Sequence, residues 1–328
     1  MAIVVAVLVP PIQQTNHKPN RYPIANALSH LFKSNILTVF GFEFYHKNNT
    51  VWINGKYCYN NLFKDISSPI NIIHDRFPSQ IRKDHFLAIQ DTISNIPLGN
   101  PYSTTLLCRD KLACQRLLEN GGIIMPEVSD DPACFTQLLN IWKQGFIKPQ
   151  FGALGQGVQA VTPGMHLPQR IQGLVPNQSE PSILQRGIYP PKDWAGMSVR
   201  QLMQKDIGGS WIPRTAVLRR SKQDAVVNVS RGAEAIPAIQ ALPSDTIDYI
   251  LQQSQSICSI LDAQPNGIYN VEFGLDFVID GEYRPWLIEV NSRPRGRLEQ
   301  LAQQFPDRYL QEHEAACIQP IRYLASLC

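Results

Sequence analysis

The chain has 328 residues, of which 44% are hydrophobic and 17% are charged, and its formal net charge is +3. This composition is typical of a globular protein with room for two or three modest domains, and the weak positive balance argues against a nucleic-acid or membrane-surface partner. The apolar N-terminal run IVVAVLVP is too short to span a bilayer and lacks the flanks of a signal peptide. Seven scattered cysteines without a C-x-x-C pair predict reduced thiols in the cytoplasm and no zinc site.

The first hundred residues alternate between strand-like and helix-like patterns. The predicted elements are a buried first strand, a helix at 21–33, a second strand at 35–40, a strand at 70–78 and a helix at 86–93. The segment VWINGKYCY predicts a hairpin, because Asn54-Gly55 favours a turn with positive φ between two β-rich runs. This alternation predicts a small α/β domain over residues 1–104.

The remaining residues predict two further units, a central one at 105–184 and a C-terminal one at 185–328. The elements expected in the central unit are helices at 109–120 and 134–143, a strand at 146–149 and a loop at 163–182. The elements expected after it are strands at 182–188, 198–204, 214–220 and 225–231, a helix at 245–261, and a strand pair at 270–279 and 286–291.

The segment GFIKPQFGALGQGVQAV places a lysine just before a glycine-bearing loop. Gly152, Gly155 and Gly157 would let backbone N–H groups approach an anion, and Lys148 supplies a compact positive charge beside them. This combination suits the phosphates of a nucleotide, although the segment is neither a Walker A loop nor a dinucleotide-binding fingerprint. A glycine-rich hairpin with one solvated lysine is the alternative interpretation.

Two carboxylates and a carboxamide interrupt the apolar strands near the C-terminal end of the chain. Side chains alternate along a strand, so Glu289 and Asn291 should share a face, and Leu287 should join them. A tight turn at residues 280–281 would separate Asp276 from Glu289, whereas a wider loop, which we favour, places them opposite each other. Three such oxygen ligands suit Mg²⁺, and a cation would relieve the repulsion between the carboxylates. The alternative is a solvent-exposed strand face with scattered polar residues.

These two segments resemble the ATP-grasp superfamily. The resemblance is carried by FIKPQFGALGQGV, for a phosphate-binding lysine and glycine loop, and by GLDFVIDGEYRPWLIEVNSRP, for a metal-binding strand pair, and it covers about residues 105–298. It implies an α/β (α+β) fold in which a small N-terminal α/β domain precedes two α+β subdomains that hold the nucleotide between them. AVVNVSRGAEAIP and DRFP look most like the YheC/YheD-type, spore-coat-associated branch.

The resemblance also implies ligands and their binding residues. Lys111 falls where the family places a second nucleotide-contacting lysine, and LQRGI falls at the hinge beside the adenine ring, where Gln185 replaces a frequent glutamate. The implied cofactors are ATP and Mg²⁺, for which Mn²⁺ can substitute. The residues implied to bind ATP are Lys111, Lys148, Gly152, Gly155, Gly157, Gln185, Arg186, Gly187 and Ile188, and those implied to bind the metal are Asp276, Glu289 and Asn291.

The activity that the resemblance implies is ATP-dependent joining of a carboxylate to an amine through an acyl phosphate. Such catalysis consists mainly of positioning and charge neutralisation and needs no nucleophilic side chain. The expected partners are a small-molecule or peptide carboxylate and an amine, with a homodimer as the default assembly. A kinase-like phosphotransferase and a nucleotide-binding structural or assembly factor are the alternatives.

Arginines are the candidates for contacting the transferred phosphoryl group and the acceptor carboxylate, because the guanidinium fork matches both groups. Arg293 is the foremost candidate, since it follows Asn291 closely and precedes Pro294, which restricts its backbone. Asp75 and Arg76 either close the N-terminal domain against the site or form a surface ion pair of little value. The catalytic candidates are Arg293, Arg219 and Arg200, and the substrate-binding candidates are Asn228, Arg231 and Arg295.

Overall fold

The described part of the chain forms three β-sheets with helices packed against them. The computed structural model describes residues 2–9, 28, 31, 34–59, 62–76, 89–152, 156–173, 179–227, 233–294 and 298–328. The helix predicted at 21–33 therefore lies almost wholly outside the described residues, and of the helix predicted at 86–93 the described part, residues 89–93, is helical.

The first sheet has six strands in the order β4-β3-β2-β1-β5-β6. Their bounds are β1 Ile3–Leu8, β2 Ile36–Lys47, β3 Thr50–Tyr59, β4 Leu62–Pro69, β5 Ile72–Asp75 and β6 Leu98–Gly99. Strand β1 runs parallel to both of its neighbours, and almost all of its residues are buried. A continuous apolar run is what a parallel strand covered on both faces requires, so the predicted first strand is confirmed.

The hairpin predicted at Asn54-Gly55 is wrong. Strand β3 is continuous through that pair, and the chain turns instead at Asn48-Asn49, where φ is 51° and 60°. The strand register between β2 and β3 shifts next to Gly55, and a Cβ there would collide with the carbonyl oxygen of Phe40. This glycine therefore serves a close approach between strands rather than a turn.

The second sheet has the strand order β10-β11-β8-β9, with β7 paired to β11. The bounds are β7 Val128–Ser129, β8 Gly145–Pro149, β9 Gln159–Val161, β10 Arg170–Gln172 and β11 Ser179–Arg186, with helices α1 Tyr102–Arg109, α2 Lys111–Asn120 and α3 Phe135–Trp142. The helix predicted at 109–120 begins at Lys111, because Asp110 has an extended backbone conformation. Its carboxylate caps α2 by accepting hydrogen bonds from the backbone N–H groups of Leu112 and Ala113. The loop predicted at 163–182 is wrong in part, since β10 pairs with β11 and buries Ile171.

The third sheet has the order β15-β14-β12-β16-β17, with β13 paired to β12. The bounds are β12 Gly196–Lys205, β13 Trp211–Pro213, β14 Val217–Ser221, β15 Glu234–Pro237, β16 Glu272–Ile279 and β17 Pro285–Asn291, with helices α4 Ser244–Asp262, α5 Glu299–Gln304 and α6 Pro306–Ser326. Helix α4 packs its apolar face on this sheet and confirms the helix predicted at 245–261. The strand predicted at 225–231 is wrong for residues 225–227, which are not in a strand, and the rest of it lies outside the described residues.

The last helix, α6, joins the third sheet to the first. Its residues Cys317, Ile321 and Leu324 share a core with Val5 and Val7 of β1. This packing holds the end of β5 close to the ends of β16 and β17, where the predicted metal-binding residues lie. Over the part of the chain that the structure describes, no helix has the length and apolarity needed to cross a membrane.

Candidate active site

A cavity of about 550 Å³ lies between the second and third sheets. Most of the residues predicted from the sequence line it. They are Lys111, Lys148, Gly152, Gln185, Arg186, Ile188, Arg200, Arg219, Asp276, Glu289, Asn291 and Arg293. The structure therefore brings the predicted phosphate loop and the predicted metal strands, which are far apart in the sequence, to one cavity.

Six further predicted residues do not line this cavity in the described part of the chain. Gly155, Asn228, Arg231 and Arg295 lie outside the described residues. Gly157 has a φ of 71°, and a Cβ there would lie 2.7 Å from the carbonyl oxygen of a β10 residue. A Cβ at Gly187 would likewise collide with the side chain of Gln144, which lies between α3 and β8. The described role of both glycines is close backbone packing, and their contact with a nucleotide stays a prediction.

Lys148 on β8 is buried beside a neutral partner. Its Nζ donates a hydrogen bond of 2.8 Å to Oε1 of Gln185 on the neighbouring strand β11, and the Gln185 amide donates in turn to Gln115. Burial, followed by the charge of Lys111, lowers the pKa of Lys148 to about 7, against the opposing influence of Glu289. A buried ammonium with an amide as its hydrogen-bond partner gains strongly from any anion that enters the cavity.

Lys111 fastens the phosphate loop to helix α2. It is the first residue of that helix, and its Nζ donates a hydrogen bond of 3.0 Å to the carbonyl oxygen of Gly152. Burial lowers the pKa of Lys111, while Glu289 raises it and Arg109 lowers it. Asp110 adds a second tie, because its carboxylate accepts a hydrogen bond from the Gln150 side chain. The predicted phosphate loop is therefore tied to the start of α2 through both Asp110 and Lys111.

The strand pair β16–β17 has the register that the wider loop predicted. Asp276 lies opposite Glu289, and the next pair on the same face places Asn291 opposite Gly274. The register shifts directly after Asp276, so that the following residue of β16 pairs with Leu287. Leu287 consequently points into the hydrophobic core, with 1% of its surface exposed, and the expectation that it joins the polar face is wrong. Ile288 lines the cavity instead.

The two facing carboxylates have different partners. Asp276 accepts hydrogen bonds from Nε of Arg200 at 2.7 Å, from Nη2 of the same guanidinium and from Asn291 at 3.1 Å, and Arg219 lies 3.7 Å away. Burial would raise the pKa of Asp276, but Arg200 and Arg219 together hold it below its usual value. Within the described part of the chain, the Glu289 carboxylate has neither a hydrogen-bond nor an ion-pair partner.

Arg219 carries a charge that is only partly compensated. Burial, followed by repulsion from Arg200, lowers its pKa to about 10, although Asp276 and Glu289 act in the opposite direction. The two arginines project from neighbouring strands, since β12 and β14 are paired along this stretch. Two guanidinium groups that share one carboxylate leave positive charge directed at the cavity, which favours an anionic ligand.

The donor set on β16 and β17 fits a divalent cation. Asp276 and Glu289 face each other, the Glu289 carboxylate is unpaired among the described residues, and the Asn291 amide N–H group points to Asp276 and leaves its carbonyl oxygen available. Oxygen ligands of this kind are those that Mg²⁺ prefers. The described residues contain no cluster of three His, Cys, Asp or Glu side chains able to hold a metal, so the third oxygen donor of this set is the Asn291 carbonyl group.

Asp75 and Arg76 bind the third sheet rather than each other. Asp75, which is 1% exposed, forms an ion pair with Arg293 beyond the end of β17. Arg76 donates to Oε1 of Glu272 at 2.8 Å and to the carbonyl oxygen of Pro294 at 2.9 Å. The alternative of a surface ion pair between Asp75 and Arg76 is therefore wrong, and the segment after β5 is held against the cavity.

Two residues of this region were not predicted from the sequence. Asn100 is buried with a φ of 52°, accepts a hydrogen bond from the Val271 N–H group at 2.7 Å and donates to the carbonyl oxygens of Glu272 and Ser292. It thereby joins the first sheet to both metal-site strands. Arg109 lines the cavity two positions before Lys111. The only local sequence signal for Arg109 was its closeness to Lys111 in the segment RDK, and two basic residues at a solvated helix end explain that segment equally well.

Comparisons with known proteins agree with this fold. Residues 165–327 match the model of a family described as YheC/D-like ATP-grasp, and a search of curated proteins finds no match. D-alanyl-alanine synthetase A from Vibrio cholerae O1 biovar eltor str. N16961 is a similar solved structure, with a TM-score of 0.56, 12% identity, and coverage of 98% of this chain and 99% of that one.

Two further solved structures are similar over nearly the whole chain. The D-alanine-D-alanine ligase from Coxiella burnetii has a TM-score of 0.56 and 9% identity, over 99% of this chain and 96% of that one. N5-carboxyaminoimidazole ribonucleotide synthetase from Thermotoga maritima has a TM-score of 0.57 and 9% identity, over 98% of this chain and 76% of that one. At such identities the likeness shows a shared fold and nothing more.

Proposed function

We propose, from the premise that residues 165–327 belong to the YheC/D-like ATP-grasp family, that this chain is an ATP-dependent carboxylate–amine ligase. The expected α/β ATP-grasp fold is confirmed by the solved structures that match it. The observation that carries the proposal is the facing pair Asp276 and Glu289, which lies in one cavity with four buried or largely buried cations, Lys111, Lys148, Arg200 and Arg219.

The charge balance of the cavity favours a nucleoside triphosphate. Eight lysines and arginines line the cavity, against the three carboxylates Asp276, Glu289 and Glu299. Burial lowers the pKa of both lysines, so an anionic ligand would stabilise their charged forms. A triphosphate supplies the missing negative charge, and the desolvated cations bind it more strongly than exposed ones would. The proposed adenine position lies beside the end of β11 and the segment after it, where Gln185, Arg186 and Ile188 line the cavity.

Asp276, Glu289 and Asn291 are the residues that would hold Mg²⁺. When bound, the metal neutralises charge on the phosphates and orients them for transfer. Arg200 now holds both oxygens of Asp276, so the proposed site requires this carboxylate to be shared between the guanidinium and the cation.

The proposed reaction has two steps. An oxygen of the substrate carboxylate attacks the γ-phosphorus of ATP, the bond from that phosphorus to ADP breaks, and an acyl phosphate forms. The amine nitrogen then attacks the acyl carbon, phosphate leaves with the electron pair of the broken C–O bond, and the amine loses a proton as the amide forms. Lys111 and Lys148 bind the nucleotide phosphates, and Arg219 stabilises the charge on the transferred group.

The substrates proposed are a small-molecule or peptide carboxylate and an amine. Arg293 and Arg76 line the end of the cavity beyond Asn291, where the acceptor would bind next to the transferred phosphate. Each of these arginines already has a carboxylate partner, Asp75 and Glu272 respectively, which holds its side chain in a defined position.

ADP release against a panel of amino acids and peptides tests the proposal. Turnover that requires both a carboxylate and an amine, with the amide product identified by mass spectrometry, supports the ligase. Turnover with the carboxylate alone would instead indicate a kinase-like phosphotransferase. If ATP binds but no combination of substrates produces ADP, the chain is a nucleotide-binding factor and the ligase proposal is wrong.

A further inference from the structure

We propose that Arg109 is a further binding residue of this site and contacts the terminal phosphoryl group of the nucleotide. The family match begins at residue 165 and does not include Arg109, and the glycine-loop and metal motifs do not include it either. The inference rests on the proposed function, since it assumes that the cavity binds a nucleotide.

The position of helix α1 brings Arg109 to the phosphate end of the cavity. Arg109 is the last residue of α1, and Thr105, one turn earlier, contacts Ser292 directly after the end of β17. The C-terminal turn of the helix therefore lies beside the strand that carries Glu289 and Asn291. Arg109 lines the same cavity as these two residues.

Arg109 differs from the other cavity arginines in having no partner among the residues that the structure describes. Arg200 pairs with Asp276, and Arg293 pairs with Asp75. Across the described ranges, the Arg109 side chain forms no ion pair or hydrogen bond, and its Nε is buried without an acceptor. Burying a donor unpaired costs free energy, which the negative end of the α1 dipole offsets only in part. An anionic ligand would supply the missing acceptor.

The order of the cations along the cavity indicates which phosphate Arg109 meets. Gln185, at the proposed adenine end, holds Lys148 directly. Arg109, by contrast, ends helix α1, whose Thr105 contacts Ser292 directly after β17. Lys148 therefore lies at the hinge end of the cavity, and Arg109 lies at the end beside Glu289 and Asn291. In the proposed pose the phosphates extend from the hinge towards these metal-binding candidates, so Arg109 would contact the last of them.

The chemistry of arginine suits this position. Its planar fork can donate two parallel hydrogen bonds to two oxygens of one phosphoryl group, whereas a lysine contacts phosphate as a point charge. The terminal phosphoryl group, with its three non-bridging oxygens, is the part of the nucleotide that offers such a pair of acceptors at its outer end.

Calorimetric titration of the full-length protein at fixed Mg²⁺ with ADP and with the β,γ-imido analogue of ATP tests the inference. Arg109→Ala should weaken binding of the analogue by roughly 10- to 100-fold, as expected for a lost charge-assisted contact, and change ADP affinity by no more than about twofold. Arg109→Lys should restore part of the analogue affinity. Arg116→Ala is the matched control, because Arg116 lies on α2 with a side chain that is 64% exposed and should affect neither ligand.

The outcomes separate the inference from the function on which it rests. Equal losses for both ligands, or no loss for either, would overturn the assignment of Arg109 to the terminal phosphoryl group while leaving the nucleotide site intact. Failure of the wild-type protein to bind either nucleotide would overturn the proposed function, and the role of Arg109 with it. Because the side chain has no described partner, neither Arg109 variant should lower the midpoint of thermal unfolding, and Arg109→Lys carries the comparison if Arg109→Ala folds poorly.

Discussion

Asp276 and Glu289 face each other across β16 and β17, but only Asp276 is held by arginine. The Asp276 carboxylate is therefore fixed by its protein partners. The Glu289 carboxylate has no hydrogen-bond or ion-pair partner among the described residues and is available to a ligand. This asymmetry means that the two acids should respond differently to substitution. Removal of Asp276 would take away the carboxylate that Arg200 and Arg219 share, whereas removal of Glu289 would break no described hydrogen bond or ion pair.

Glu289→Ala should abolish Mg²⁺-dependent turnover and leave the fold intact. Loss of a metal ligand should cost at least about 100-fold in activity, since changes to outer-shell groups alone cost roughly 10- to 100-fold. The thermal unfolding midpoint should change little, because the Glu289 carboxylate forms no described hydrogen bond or ion pair and acts on the neighbouring cations only through its charge. Steady-state ADP release and thermal unfolding are the measurements, with Glu282→Ala, at a 72% exposed side chain, as the control. Near-normal activity of Glu289→Ala would show that the metal assignment is wrong.

Lys148 should make stability depend on pH in a predictable direction. Its pKa is about 7 in the folded protein and near 10.5 in the unfolded chain, so between these values the unfolded state binds more protons. The free energy of unfolding should therefore rise with pH through this window, by about 1.4 kcal/mol per pH unit, and the destabilisation should be complete below pH 7. Denaturant unfolding of the wild type and Lys148→Met between pH 7.5 and 9.5 measures the difference in slope. Equal slopes would contradict the burial of an uncompensated lysine.

The same lysine should be needed for nucleotide binding. Lys148→Ala removes a buried charge whose hydrogen-bond partner among the described residues is the Gln185 amide, so ATP affinity should fall by roughly 10-fold or more. Calorimetry with ATP and Mg²⁺ measures this loss, and Lys143→Ala, a change in the loop just before β8, serves as the charge control. Unchanged ATP affinity in Lys148→Ala would remove Lys148 from the phosphate site.

The strand pair that brings Asp276 opposite Glu289 could be predicted because polar residues interrupt two apolar runs. A carboxylate or amide in such a run is costly unless it has a ligand, and this requirement selected the register that pairs Asp276 with Glu289. The bulge after Asp276 could not be predicted in the same way. Leu287 and Ile288 are both apolar, so the hydrophobic pattern is equally satisfied whichever of them enters the core.

The remaining errors arose where the local sequence signals are equally strong for two structures, and contacts between residues far apart in the sequence select one of them. Asn54-Gly55 and Asn48-Asn49 can both form a turn with positive φ, and the pairing of β3 with both β2 and β4 selects the second. Asn100 was missed because the backbone group that it pairs with lies 171 positions away. A single sequence contains no pattern that reports such a contact.

Arg200→Met should destabilise the protein in a way that Mg²⁺ partly reverses. The substitution leaves Asp276 buried without its strongest partner, which should lower the free energy of unfolding by about 3 kcal/mol. A cation at the same carboxylate would replace some of the lost charge, so added Mg²⁺ should raise the unfolding midpoint more in Arg200→Met than in the wild type. Thermal unfolding with and without Mg²⁺ measures both effects. An identical response of the two proteins would argue that Asp276 does not contact the metal.

The ion pair of Asp75 with Arg293 provides a way to separate a structural from a catalytic role for Arg293. Arg293→Met removes the arginine from the buried Asp75 carboxylate, whereas Asp75→Asn keeps a similar shape and a hydrogen-bond acceptor. Both should lower stability, and the double variant should lose less than the sum of the two, because the pair is coupled. If Arg293 contacts the reacting groups, Arg293→Met should reduce turnover by at least about 10-fold more than Asp75→Asn. Equal turnover in the two single variants would assign Arg293 to holding β5 against the cavity and to nothing further.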